Sequence, residues 1–169
     1  MENSRITTRM TFRRLAIAAI TLLSALVSGS ASYAQSGPFA GMAGAWSGGG
    51  TVTLEDGSAE RIRCRATYAI GDNGAGLSQS LTCASDSYKF DLRSTVVASG
   101  GALSGTWSET SRGVAGSLAG RGGGGNFQVV ASAPGFNANI SLTTRGNRQS
   151  VVIKSESQFR GASISLSRS

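Results

Sequence analysis

Histidine is absent from this 169-residue chain, and that shortens the inventory of residues able to do chemistry. Ser-His-Asp and Cys-His nucleophile systems and His-ligated metal sites are excluded. The many serines have neither an imidazole nor a lysine motif to activate them. Carboxylates are sparse: Glu55, Asp56 and Asp72 fall in turn-like stretches, Asp91 sits on a polar parity, and only Glu109 shares a parity with an aromatic, Trp107. A lone carboxylate is not an acid/base pair, so Glu109 reads as a solvated strand end, with a perturbed-pKa group in a pocket mouth as the alternative. The run Arg121 to Gly125 lacks the Lys-Ser/Thr ending and following helix of a phosphate loop, and reads as a flexible hairpin connection. The expectation is a protein without catalytic residues, cofactor or metal: not an enzyme.

Two constellations remain. Cys64 and Cys83 flank Gly71-Asp72-Asn73-Gly74-Ala75-Gly76, a turn-rich hexapeptide centred midway between them. Pairing about that centre sets Cys64 opposite Cys83, Ala66 opposite Leu81 and Ile70 opposite Leu77, so one face is apolar on both strands, as a correct register requires. A cross-strand disulfide follows, worth ~3 kcal/mol through restriction of the unfolded chain; a redox pair would prefer a C-x-x-C spacing. The second constellation is Arg61, Arg63 and Arg65, three guanidinium groups at period two on one strand face. They are a candidate face for an anionic partner, such as phosphates, lipopolysaccharide or an acidic protein. Nucleic acid is not expected, because no aromatic interleaves with them: Tyr68 has the opposite parity. The plain alternative is a solvated wall.

A stable disulfide requires an oxidising compartment, and the N-terminus supplies a route to one. Arg5, Arg9, Arg13 and Arg14 form a positive region ahead of the apolar run Leu15 to Val27, which is short for a membrane span. Ser32 and Ala34 place a signal-peptidase cut after Ala34. Residues 1–34 therefore read as a signal peptide, 35–43 as a short linker and 44–169 as one domain, exported to the periplasm or secreted. Arg13-Arg14 fits a twin-arginine signal only loosely, so general secretion is favoured; an uncleaved signal anchor is the alternative. Removing 1–34 leaves 12 Lys and Arg against 8 Asp and Glu, a mild net charge of +4. That suits solubility more than nucleic-acid binding.

The domain must bury a core with little regular helix, since no helical period is found. Alternation recurs instead, broken by turn signals such as Glu55-Asp56-Gly57-Ser58, Ser99-Gly100-Gly101 and Pro134-Gly135. Ile62, Cys64, Ala66, Tyr68 and Ile70 alternate with Arg61, Arg63, Arg65 and Thr67; Ala162, Ile164 and Leu166 alternate with Ser163, Ser165 and Ser167. The reading is an all-β fold, an antiparallel up-and-down barrel of about 8–10 strands with one cross-strand disulfide. Gly48 to Gly50, Gly105, Gly116 and Gly120 lie inside strand patterns, where glycine permits the sharp bends of closure.

Gly44-Ala45-Trp46 opens the first strand, and Arg168 ends the last on the parity of Ile164 and Leu166. This resembles the calycin pattern of lipocalins and avidins, in which a tryptophan near the start of the barrel packs under an arginine from its last strand. The resemblance implies a Trp46–Arg168 pair and a small secreted β-barrel. It extends to small secreted protease inhibitors of the same barrel class. Aromatics Trp46, Tyr68, Tyr88, Phe90, Trp107 and Phe136 are the candidate ligand-facing residues, because many Gly and Ala on the same faces leave room inside. The expected function is non-enzymatic: binding a small apolar ligand or a protein partner, or a structural role. Embedding in an outer membrane is the alternative. Against it stand few Trp and Tyr for two girdles, no terminal aromatic, and charges on the outward parity.

Overall fold

A computed structural model describes residues 36–87, 89–156 and 159–169. The expected signal peptide and Tyr88 lie outside the described residues. Ten antiparallel strands follow one another: β1 (Gly44–Leu54), β2 (Ala59–Gly71), β3 (Gly76–Ala84), β4 (Lys89–Ser99), β5 (Ala102–Glu109), β6 (Val114–Gly123), β7 (Asn126–Ala133), β8 (Phe136–Arg145), β9 (Arg148–Ser155) and β10 (Phe159–Arg168). Each pairs with the next, and β1 also pairs with β10, so the meander closes into a barrel without a free edge.

Alternation in the sequence becomes inside and outside. Along β2, Ile62, Cys64, Ala66 and Tyr68 are buried while Arg61, Arg63, Arg65 and Thr67 are exposed. Register between β2 and β3 is the one the turn dictates: Cys64 faces Cys83, Ala66 faces Leu81 and Ile70 faces Leu77. The cysteines form a disulfide with their Cα atoms 4.1 Å apart, on the inner face. The turn between them is a single 3₁₀ turn, Asp72–Gly74, with Asp72 and Asn73 at positive φ, which short polar side chains tolerate.

Closure depends on glycine where strands bend hard against each other. A Cβ on Gly50 would stand 1.9 Å from the Ser163 carbonyl oxygen, and one on Gly116 the same distance from that of Ser132. No other residue fits there without moving the neighbouring strand.

One difference from the sequence reading concerns residues 36–43. They do more than link: Phe39 and Met42 are both 2% exposed and belong to the core, and the Phe39 N–H donates to the Gly74 carbonyl. Each apolar side chain buried this way contributes ~1.5–3 kcal/mol. The segment has no periodicity to mark it, being too short for one. Its two apolar residues fold under the end of the barrel where β1 begins and stop it.

The outer wall is rich in hydroxyl side chains. Ser163, Ser165 and Ser167 on β10 lie beside Thr51, Gly49 and Ser47 on β1, which lie beside Arg61, Arg63 and Arg65 on β2. Among the described residues the large apolar side chains left exposed are Val97, Val130 and Val152.

Candidate functional site

The barrel is not filled along its whole length. At the closed end Trp46 lies 1% exposed, its indole N–H donating to the Met42 carbonyl at 2.8 Å. The Arg168 guanidinium sits 4.4 Å above the Trp46 ring and donates to the carbonyls of Ala43 and Gly41. That contact, worth ~2 kcal/mol when desolvated, ties the last strand to the first and both to residues 36–43. Phe39 stacks on Phe127 with centroids 5.5 Å apart, and Tyr68 packs edge-on to Trp46 at 6.5 Å. The Tyr68 hydroxyl donates to Gln149 Oε1 at 2.6 Å, and Gln149 Nε2 donates to Thr144 Oγ1 at 3.0 Å, so these buried polar groups are satisfied. Burial, only partly offset by the Gln149 hydrogen bond, pushes the Tyr68 phenol up and keeps it protonated.

Above this floor opens a cavity of about 970 Å³. Its wall is mostly aliphatic and aromatic, with Leu81, Leu118, Ile140, Val151, Ile164 and Leu166 among the lining residues. Small residues explain the space: inward Leu118 pairs with Ala131, which pairs with Ala138, and on the other side Leu118 faces Gly105. The mouth is at the end where β1 finishes. Phe90, Leu92, Phe136 and Phe159 stand there half-buried, and Glu55, Asp56, Glu109 and Arg112 bring charge to it.

Glu109 departs from the favoured sequence reading and matches the alternative, a perturbed carboxylate at the cavity mouth. It is 3% exposed, not a solvated strand end. Burial disfavours its charge, yet the backbone N–H groups of Asp91, Ser111 and Arg112 donate to its carboxylate at 3.0, 3.0 and 2.8 Å and hold its pKa below the ordinary value. Arg112 adds an ion pair at 3.6 Å. The β5–β6 turn is thus built around a buried anion. The signal in the sequence was present, a carboxylate on the inward parity one step from a turn, but parity alone does not say that three N–H groups converge on it.

Of the candidate ligand-facing residues, Tyr68, Phe90, Trp107 and Phe136 line the cavity, and Trp107 packs on Phe136 at 5.4 Å. Trp46 does not line it; Arg168, Met42 and Tyr68 enclose it beneath the floor. Arg61, Arg63 and Arg65 project from the outer wall, remote from the cavity lining, and none forms a salt bridge among the described residues. Sequence reasoning missed Gln79 and Ser94, which line the cavity and hydrogen-bond to each other at 3.0 Å. Their parity, that of Leu77 and Leu81 for Gln79 and of Phe90 and Leu92 for Ser94, is the signal, but which polar residues meet across β3 and β4 is set by the register. Among the described residues no three His, Cys, Asp or Glu side chains gather as a metal site.

Set against known protein families and curated proteins, the chain matches none. The general architecture fits a calycin-like barrel, with ten strands where lipocalins close with eight.

Proposed function

We propose that this is an exported carrier or binding protein that takes a small apolar ligand into the barrel through the mouth at Phe90, Phe136 and Phe159. The single observation that carries the reading is a cavity of about 970 Å³, apolar in its wall, stopped at one end and open at the other. A space of that size suits a drug-sized molecule, which would lose most of its surface to the wall. A core meant only for stability fills such space, because empty volume destabilises. The buried disulfide accords with export. The calycin-like Trp46–Arg168 contact accords with membership of that barrel class. The hydroxyl-rich outer wall favours this reading over embedding in an outer membrane, whose lipid-facing band needs outward apolar residues.

The test is titration of the protein, purified from its host without detergent, with the uncharged fluorophore N-phenyl-1-naphthylamine. Saturable enhancement at one probe per chain, lost in the variant Leu118→Trp, supports the reading. Absence of saturable binding, or binding indifferent to that substitution, overturns it. Native mass spectrometry of the same material reads directly whether a small molecule co-purifies.

A further inference from the structure

The cavity wall is apolar except for one row. Register places Tyr68 beside Gln79, Gln79 beside Ser94 and Ser94 beside Trp107, four inward residues at one level on four adjacent strands. All four line the cavity. Their hydrogen bonds leave the row short of acceptors. The Ser94 hydroxyl is committed to Gln79 Oε1 and the Tyr68 hydroxyl to Gln149 Oε1. Among the described residues no protein acceptor pairs with the N–H groups of Gln79 Nε2, which lines the cavity, whereas Trp107 Nε1, also without an acceptor, is packed against Gly116 and turned from the cavity. In an apolar cavity an unpaired amide donor is unfavourable, and an occupant bearing a lone pair would supply the acceptor that Gln79 Nε2 lacks.

Charge at the mouth acts in the opposite sense on anions. Glu55 and Asp56 line it, and the backbone N–H groups around Glu109 keep that residue ionised. Arg112 is the one cationic side chain in the lining among the described residues. It is already ion-paired with Glu109 and donates to the Lys89 carbonyl at 3.2 Å. A carboxylate entering here passes three like charges and finds its cation occupied.

We infer that the ligand is an uncharged hydrophobe with an accepting oxygen, a ketone, ester or amide carbonyl, seated against the Gln79 amide, and that organic carboxylates are rejected. This deepens the reading of the cavity as a ligand site and rests on it. Benzophenone, diphenylmethane and diphenylacetate share two phenyl rings on one carbon and differ in carrying a carbonyl, nothing or a carboxylate. In competition against N-phenyl-1-naphthylamine, benzophenone is expected to displace the probe at roughly tenfold lower concentration than diphenylmethane, the scale of a hydrogen bond to an otherwise unpaired donor. Diphenylacetate is expected to compete least. The variant Gln79→Met brings benzophenone to the level of diphenylmethane while diphenylmethane itself stays within about twofold, so a loss common to both compounds is a packing effect and counts against the inference. Benzophenone no better than diphenylmethane in the unaltered protein, or diphenylacetate the best competitor, overturns it while leaving the cavity reading intact. Failure of N-phenyl-1-naphthylamine itself to bind removes both.

Discussion

Where β1 begins, Phe39, Met42 and Trp46 pack without a gap, and Trp46, Tyr68, Gln149 and Arg168 all have hydrogen-bond partners. Where β1 finishes, Phe90, Leu92, Phe136 and Phe159 stand half-buried around an opening. Both ends are made by the same ten strands and by hairpins of similar length, so the fold alone does not decide which end is closed. Residues 36–43 decide it, by supplying two large apolar side chains and the carbonyls that Arg168 needs. The open end receives carboxylates instead. Stability and ligand access are thereby assigned to opposite ends, and each substitution below asks whether that division is real.

The largest contrast is between the two tryptophans. Trp46→Ala is expected to cost ~4 kcal/mol, because it empties a sealed site and strands the Arg168 guanidinium. Trp107→Ala is expected to cost ~2 kcal/mol, since its ring already borders open space and its N–H loses no partner. Urea unfolding followed by circular dichroism measures both. Equal losses would mean that the two ends are equally packed, and the contrast would collapse.

Next in size is the disulfide, which clamps β2 to β3 with Cys83 beside Phe90 of the mouth. The double variant Cys64→Ala, Cys83→Ala is expected to lose about 3 kcal/mol while N-phenyl-1-naphthylamine binding under native conditions is kept, because neither sulfur lines the cavity. Loss of binding by a variant still folded would place the disulfide in the service of the mouth.

The open end has its own stabilising element in Glu109, and its signature is acid sensitivity. The folded pKa lies below the ordinary carboxylate value, so the stability Glu109 contributes is fully present above that ordinary value and is lost as pH falls through the depressed one. Glu109→Gln is expected to cost roughly 2 kcal/mol near neutrality, the scale of hydrogen bonds to a charged acceptor, and to flatten the fall in stability below about pH 4.5. Urea midpoints measured at a series of pH values read both. An unchanged acid limb would show that other carboxylates set it.

Much of this was legible in the residues. Strand positions and the register at Cys64 and Cys83 follow from parity and from turn chemistry, which act over short stretches of chain, whereas the Trp46–Arg168 contact was implied by the calycin resemblance. What the sequence does not display is convergence across strands. Gln79 and Ser94 meet only because β3 and β4 pair in one register, and Glu109 is buried only because the following turn folds its N–H groups back onto it. The stopper formed by Phe39 and Met42 has no period to detect, and the cavity is a property of what is missing from several strands at once: Gly105, Gly116, Ala131 and Ala138 are unremarkable singly.

The smallest expected effect is the sharpest test of the division, because it applies one substitution to both regions. Ala66 lies between Trp46 and Leu81 in the filled wall, outside the cavity lining; Ala131 lies between Leu118 and Ala138 and lines it. Both are buried, at 2% and 5% exposed, so burial alone predicts the same outcome for each. Packing predicts otherwise. Ala66→Leu forces three extra carbons against Trp46 and is expected to cost ~1–3 kcal/mol with ligand binding retained in the folded fraction. Ala131→Leu projects the same carbons into existing space and is expected to change stability by less than about 1 kcal/mol in either direction, while N-phenyl-1-naphthylamine binding weakens by roughly tenfold or more as the cavity fills. A full penalty at Ala131 would show that side chains already close the cavity in solution, and the carrier reading would lose the space on which it depends.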